Sequence, residues 1–128
     1  MESKKIVVVD GDALLCKTIH MSLSKRGYDV KVCCSGADAV MCLFEEKPDL
    51  LVLDLRLPDC DGWFLAKLLE GRKWAEKIPL IIISALEPDR RKVAEVKPFA
   101  YIQKPFDMGQ LVQMVESSLI GKKPLAGV

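Results

Sequence analysis

The chain has 128 residues, 50% hydrophobic and 29% charged, the balance of one compact folded domain rather than a disordered segment. With 19 basic against 18 acidic residues the net charge is +1, so no broad field favours nucleic acid or an anionic membrane. No apolar run approaches a membrane span, and the run behind "MESKK" stops at Asp10, so it reads as a buried strand and not as an export signal. Membrane insertion and direct nucleic-acid binding are not expected, and the cytoplasm is the expected compartment.

Strand and helix patterns alternate five times. Ile6 to Val9 is a continuous β-branched run. Ala13 to Arg26 carries Leu14, Leu15, Ile19 and Leu23 at helical spacing, and Gly27 sits where a helix stop belongs. Val30 to Cys33 reads as the second strand. Ala37, Val40, Met41 and Phe44 make a second helical stripe, stopped before Pro48. "LLVLD", Leu50 to Asp54, is the third strand; a loop "LRLPDCDG" leads to a helix with Leu65, Leu68 and Leu69 on one side. "LIIIS", Leu80 to Ser84, is the fourth strand. A shorter helix over about Asp89 to Val96 precedes "AYIQ" as the fifth. Asp107 opens the last helix, with Gln110 in the capping-box position and a stripe of Leu111, Val112, Val115 and Leu119. Strands one, three and four are apolar throughout, so both sheet faces are buried and the sheet is parallel, with helices on both sides.

Ligands of such a sheet bind at the carboxyl ends of its strands. The polar residues there are Asp10, Asp12, Asp54, Ser84 and Lys104. That set suits phosphoryl transfer, in which positioning and charge stabilisation carry the catalysis. A carboxylate can attack phosphorus, acids can hold a divalent cation, and a lysine and a hydroxyl can meet phosphate oxygens. "DGD" leaves two chemistries open: Asp10 is the nucleophile with Asp12 as acid/base, or both acids help hold magnesium for a nucleophile elsewhere. Each residue also has a plainer reading. Asp12 is a good helix N-cap, Ser84 can cap its own loop, and Lys104 can be a solvated loop residue. Asp54 resists this, because an unpaired carboxylate ending an apolar strand is costly to bury. The five cysteines, Cys16, Cys33, Cys34, Cys42 and Cys60, form no CxxC pair and read as reduced thiols rather than a zinc site. His20 stands alone.

The segments "IVVVDGD", "DLLVLDLRLPDCDGW", "IIISA" and "YIQKPF" together resemble the receiver domain of two-component response regulators, from Lys4 to about Leu119. The resemblance implies a doubly wound, flavodoxin-like α/β fold: a (βα)5 three-layer sandwich with strand order 2-1-3-4-5. It implies a receiver domain over 1–120 and a flexible tail or linker stub over 121–128. It makes Asp54 the phosphoacceptor and Lys104 the phosphate-binding lysine, whose bond to Pro105 is cis in the family. Asp10, Asp54 and the backbone carbonyl of Arg56 become the Mg2+ ligands, with Asp12 as a further candidate. Ser84, Ala85 and Tyr101 become the switch residues. The implied partners are a sensor histidine kinase or phosphotransfer protein, and a downstream effector or a second copy. These meet the surface of the fourth helix, fifth strand and last helix, around Lys92, Tyr101, Gln103 and Gln110. Catalysis is limited to the domain's own phosphorylation and dephosphorylation.

The sequence departs from that family at Gly11, where a second acid normally ligates the metal. The spacing from Asp10 to Gly27 leaves no room for an insertion that would make Asp12 this residue, so weaker Mg2+ binding is expected. Gly11 also supports the alternative of a pseudo-receiver, an interaction module with little or no Mg-dependent phosphorylation. The opening motif separately resembles haloacid-dehalogenase phosphatases, but these need a further acid pair after the lysine and leave Asp54 unexplained. The stretch from Ser84 to Lys104 is short and contains Pro98, so a curtailed fourth helix is expected.

Overall fold

The computed structural model describes residues 3–121. Five strands, β1 (Lys5–Val9), β2 (Asp29–Cys33), β3 (Leu50–Asp54), β4 (Leu80–Ser84) and β5 (Ala100–Gln103), pair in parallel in the order 2-1-3-4-5. Between and after them run α1 (Ala13–Ser24), α2 (Gly36–Glu46), α3 (Gly62–Leu69), α4 (Arg90–Val96) and α5 (Met108–Leu119), with a 3-10 turn at Lys73–Ala75. The expected architecture is the observed one. The expected tail, apart from Gly121, lies outside the described residues.

Alternation along the strands builds the three layers. Ile6, Val8, Leu50, Val52, Ile81 and Ile83 point to one face and meet Ile19 and Leu23 of α1 and Leu111, Val112 and Val115 of α5. Val7, Val9, Leu51 and Leu53 point to the other and meet Ala39 and Leu43 of α2 and Leu65 and Ala66 of α3. Each fully buried Val, Leu or Ile contributes about 1.5–3 kcal/mol. That burial holds the strand ends, and therefore the rim, in fixed register.

Two helical stripes differ from expectation. Leu14 is 74% exposed, and Cys16 takes its place beside Ile19 and Leu23. Helix α1 also ends at Ser24, and Gly27 closes the following turn with its N–H on the Ser24 carbonyl at 3.0 Å. In α2 the buried residues are Gly36, Ala39 and Leu43, while Met41 is 66% exposed. The helix is turned because Gly36 must face inward. The Cys60 sulfur occupies the space a β-carbon at 36 would need. Every α-helix begins on a side-chain cap, from Asp12, Ser35, Asp61, Asp89 and Asp107 in turn. Gln110 meets Asp107 through its backbone N–H, at 2.9 Å, not through a side-chain capping box.

Helix α4 is curtailed, at seven residues with none fully buried. Pro88 precedes its cap and Pro98 follows Lys97, which closes it in the left-handed region. Val93 and Val96 pack on the cluster around Trp63, and two polar ties to α3 add to this: Lys67 to Glu95 at 3.1 Å, and the Lys92 ammonium 6.0 Å from the Trp63 ring centre. Among the described residues no helix is long and apolar enough to cross a membrane.

Candidate functional site

The carboxyl ends of β1, β3 and β5 bring three charged residues together. Asp10 follows β1 and is wholly buried; Asp54 ends β3 and is 5% exposed. Lys104 follows β5, and its Nζ donates to Asp10 Oδ2 at 2.7 Å and to Asp54 Oδ2 at 3.2 Å. One ammonium therefore spans two carboxylates that apolar strands alone would leave unpaired, which the low-dielectric interior would not tolerate. The remaining oxygens are satisfied locally. Asp10 Oδ1 accepts the Asp12 N–H at 2.8 Å, and Asp54 Oδ1 accepts the Arg56 N–H at 3.2 Å.

Burial raises the Asp10 carboxyl above its ordinary value, against the lowering effect of the Lys104 hydrogen bond. Burial works against the Lys104 ammonium too, but the hydrogen bond and charge of Asp10, with Asp54 adding, leave it above its ordinary value. The lysine thus stays charged at neutral pH.

Asp12 stands outside this group. Its exposed carboxylate caps α1, accepting the N–H groups of Leu14 and Leu15 at 3.0 and 3.2 Å. Gly11 contributes no donor. A β-carbon built there comes 3.9 Å from the Arg56 carbonyl oxygen and 3.2 Å from Pro58 Cδ, so a side chain at 11 would head toward that carbonyl. Among the described residues no group of three or more His, Cys, Asp or Glu is placed to hold a metal. The oxygens that remain, from Asp10, Asp54 and the Arg56 carbonyl, still fit a magnesium ion. Mg2+ takes hard oxygen ligands from one or two carboxylates and keeps several waters. Water would stand where the missing acid would have reached.

Ser84 is wholly buried and its Oγ accepts the Leu86 N–H at 3.1 Å. Tyr101 pairs with Ile82 in the strand register, packs on the cluster of Leu55, Trp63 and Ile82, and donates its hydroxyl to the Leu86 carbonyl at 2.8 Å. Both switch candidates therefore grip the same loop residue, one at each end. Ala85 between them is exposed. Lys104 is tied back by its N–H to the Ser84 carbonyl at 2.7 Å, and its bond to Pro105 is cis.

Leu86 carries no sequence signal, because its backbone makes the contacts. Asp59 was equally silent. Its two oxygens accept the Gly36 and Ala37 N–H groups at 2.7 and 3.0 Å, fixing the β3–α3 loop to the start of α2. A groove of about 620 Å³ opens beside the rim, lined by Arg56, Trp63, Leu86, Glu87 and Lys92 among others. Of the expected docking residues, Gln103 and Gln110 are exposed, while Lys92 and Tyr101 are half-buried.

Known proteins share this fold. The family described as response regulator receiver domain matches residues 6–116. The receiver domain of a Francisella response regulator is 28% identical, with a TM-score of 0.82, covering 93% of this chain and 98% of that one. A two-component response regulator from Clostridium difficile is 25% identical, with a TM-score of 0.82 and coverages of 92% and 97%. A CheY-like receiver domain protein from Methanospirillum hungatei, at 22% identity, has a TM-score of 0.85 over 94% and 96%, and shows the shared fold. Matched from the first strand into the last helix, the chain belongs to the response regulator receiver domain family of two-component systems.

Proposed function

We propose that Asp54 accepts a phosphoryl group from a sensor histidine kinase or phosphotransfer protein, and that this domain is a switch rather than a turnover enzyme. The observation that carries the reading is the Lys104 ammonium spanning Asp10 and Asp54 at the strand rim. An Asp54 oxygen attacks phosphorus, the phosphorus–nitrogen bond of the phosphohistidine breaks, and the imidazole leaves. Asp10, Asp54 and the Arg56 carbonyl would hold Mg2+, which supplies positive charge between two anions. Lys104 follows the new phosphate with its ammonium. Ser84 turns its hydroxyl to a phosphate oxygen and releases the Leu86 N–H. Tyr101, tied to the other end of Leu86, passes that release to the α4–β5–α5 surface, where an effector or a second copy docks.

Acetyl phosphate with Mg2+ tests the chemistry by intact mass. One phosphoryl group should add to the wild type, and none without Mg2+ or in Asp54→Asn. A gain that persists in Asp54→Asn removes Asp54 as acceptor. Gly11 favours one other reading, the pseudo-receiver, since it leaves the pocket two carboxylates; no Mg-dependent gain at all would point to it.

A further inference from the structure

One carboxylate joins two loops that are far apart in sequence. Asp59, exposed in the β3–α3 loop, accepts the Gly36 N–H on Oδ1 at 2.7 Å and the Ala37 N–H on Oδ2 at 3.0 Å. These amides open α2, where a helix has no internal partners for them. Ser35 serves the next one, its Oγ accepting the Asp38 N–H at 3.2 Å. The other α-helices are capped by the side chain just before them. Helix α2 also draws on a side chain 23 positions away.

The same loop is shaped around the Arg56 carbonyl. Arg56 bridges to Asp61 across it, the Leu57 N–H donates to the Cys60 carbonyl at 3.3 Å, and the Gly62 N–H donates to the Leu55 carbonyl at 2.8 Å. Pro58 Cδ leans on the β1–α1 turn, 3.2 Å from where a β-carbon of residue 11 would stand, and the Cys60 sulfur fills the space beside Gly36. The loop is thus a short closed ribbon, resting on one turn and fastened to the start of α2. Of these holds the one from Asp59 is charge-assisted and two-pronged, which makes it the firmest.

We propose that Asp59 is a positioning residue for the acidic pocket: its grip on α2 sets where the β3–α3 loop presents the Arg56 carbonyl. Its role there rests on the Mg2+ pocket proposed above. Gly11 sharpens that role. With no acid at 11, the Arg56 carbonyl joins Asp10 and Asp54 as the whole of the protein's share of the ligands, so its placement is shared among fewer donors. Asp59 touches neither the ion nor the phosphate. It acts through the short stretch of backbone from Arg56 to Asp59.

Titration of the full chain with Mg2+, followed by tryptophan fluorescence, tests this without any phosphodonor. Asp59→Ala, at an exposed position that leaves the core intact, should need about tenfold more Mg2+ for half-saturation, the lower end of what losing a metal site's supporting contact does. Asp59→Asn, which offers one acceptor oxygen in place of two, should fall between that variant and the wild type. Ser35→Ala is the control, because it removes a cap from the same end of α2 and leaves the loop's tie in place. It should lower stability in urea and keep the wild-type Mg2+ midpoint. In the acetyl phosphate reaction, Asp59→Ala should lose rate at low Mg2+ and regain it as Mg2+ is raised, a change in apparent affinity rather than in maximal rate. An Asp59→Ala midpoint equal to the wild type's, or an equal shift in Ser35→Ala, would overturn the positioning role while the pocket itself stands. A wild type that binds no Mg2+ would instead overturn the pocket, and with it the role given to Asp59.

Discussion

At position 11 the proposed pocket lacks a side chain. The β-carbon of any residue there would point past Pro58 Cδ toward the Arg56 carbonyl, at 3.2 and 3.9 Å. Gly11→Asp should therefore supply the third carboxylate from the right direction, with Pro58 yielding a few tenths of an ångström. Mg2+ affinity should rise by about tenfold, or about 1.4 kcal/mol, in a titration followed by tryptophan fluorescence. An unchanged affinity would show that the ligand has been misplaced. Tyr101 is the other decisive residue. Its hydroxyl and the Ser84 Oγ hold the two ends of Leu86, so the proposed coupling between pocket and surface would run through that one residue. In Tyr101→Ala, phosphorylation should no longer shift the backbone amide resonances of α4. A full set of α4 shifts in that variant would break the proposed coupling.

Among the elements, the β3–α3 loop and α2 are joined by a single carboxylate. Asp59 sits on the two N–H groups that open α2, where the helix dipole also favours an anion. The Gly36 and Ala37 N–H groups hold its carboxyl below the ordinary 3.8. A lowered folded value gives a tie present in full above pH 3.8 and lost as pH falls through that lowered value. Asp59→Ala lacks the tie at every pH. The stability gap between the two proteins, from urea unfolding at each pH, should be level from neutrality to pH 3.8 and close below it. A gap that widened on acidification would contradict this. The elements themselves were largely legible. β-branched runs marked the strands, and Asp12 and Asp107 marked the starts of the first and last helices. The face of α2 was not legible, and in α1 Leu14 was misassigned while Ile19 and Leu23 are buried as expected. Stripes one position apart look alike in sequence, and only a tertiary neighbour chooses between them: in α2, the Cys60 sulfur against Gly36. The Leu86 and Asp59 contacts were invisible for a related reason, since their partners are backbone groups that any residue could supply.

Over the whole molecule, a parallel sheet buried on both faces sends its polar residues to one edge. That is why Asp10, Asp54 and Lys104, far apart in sequence, could be read as one site before any coordinates. The same logic shows why α4 is the element most free to respond. It buries no residue fully, Val93 and Val96 pack only in part on the cluster around Trp63, and one exposed ion pair and one cation–π contact add to that hold. Pocket and surface are thus two ends of one scaffold, and phosphate on the third strand would be the input. Borohydride reduction of the phosphorylated protein tests that input most directly, because it converts an aspartyl phosphate to homoserine and marks the acceptor by mass. Homoserine should appear at position 54 and nowhere else. Homoserine at Asp10 or Asp12, with position 54 intact, would contradict it.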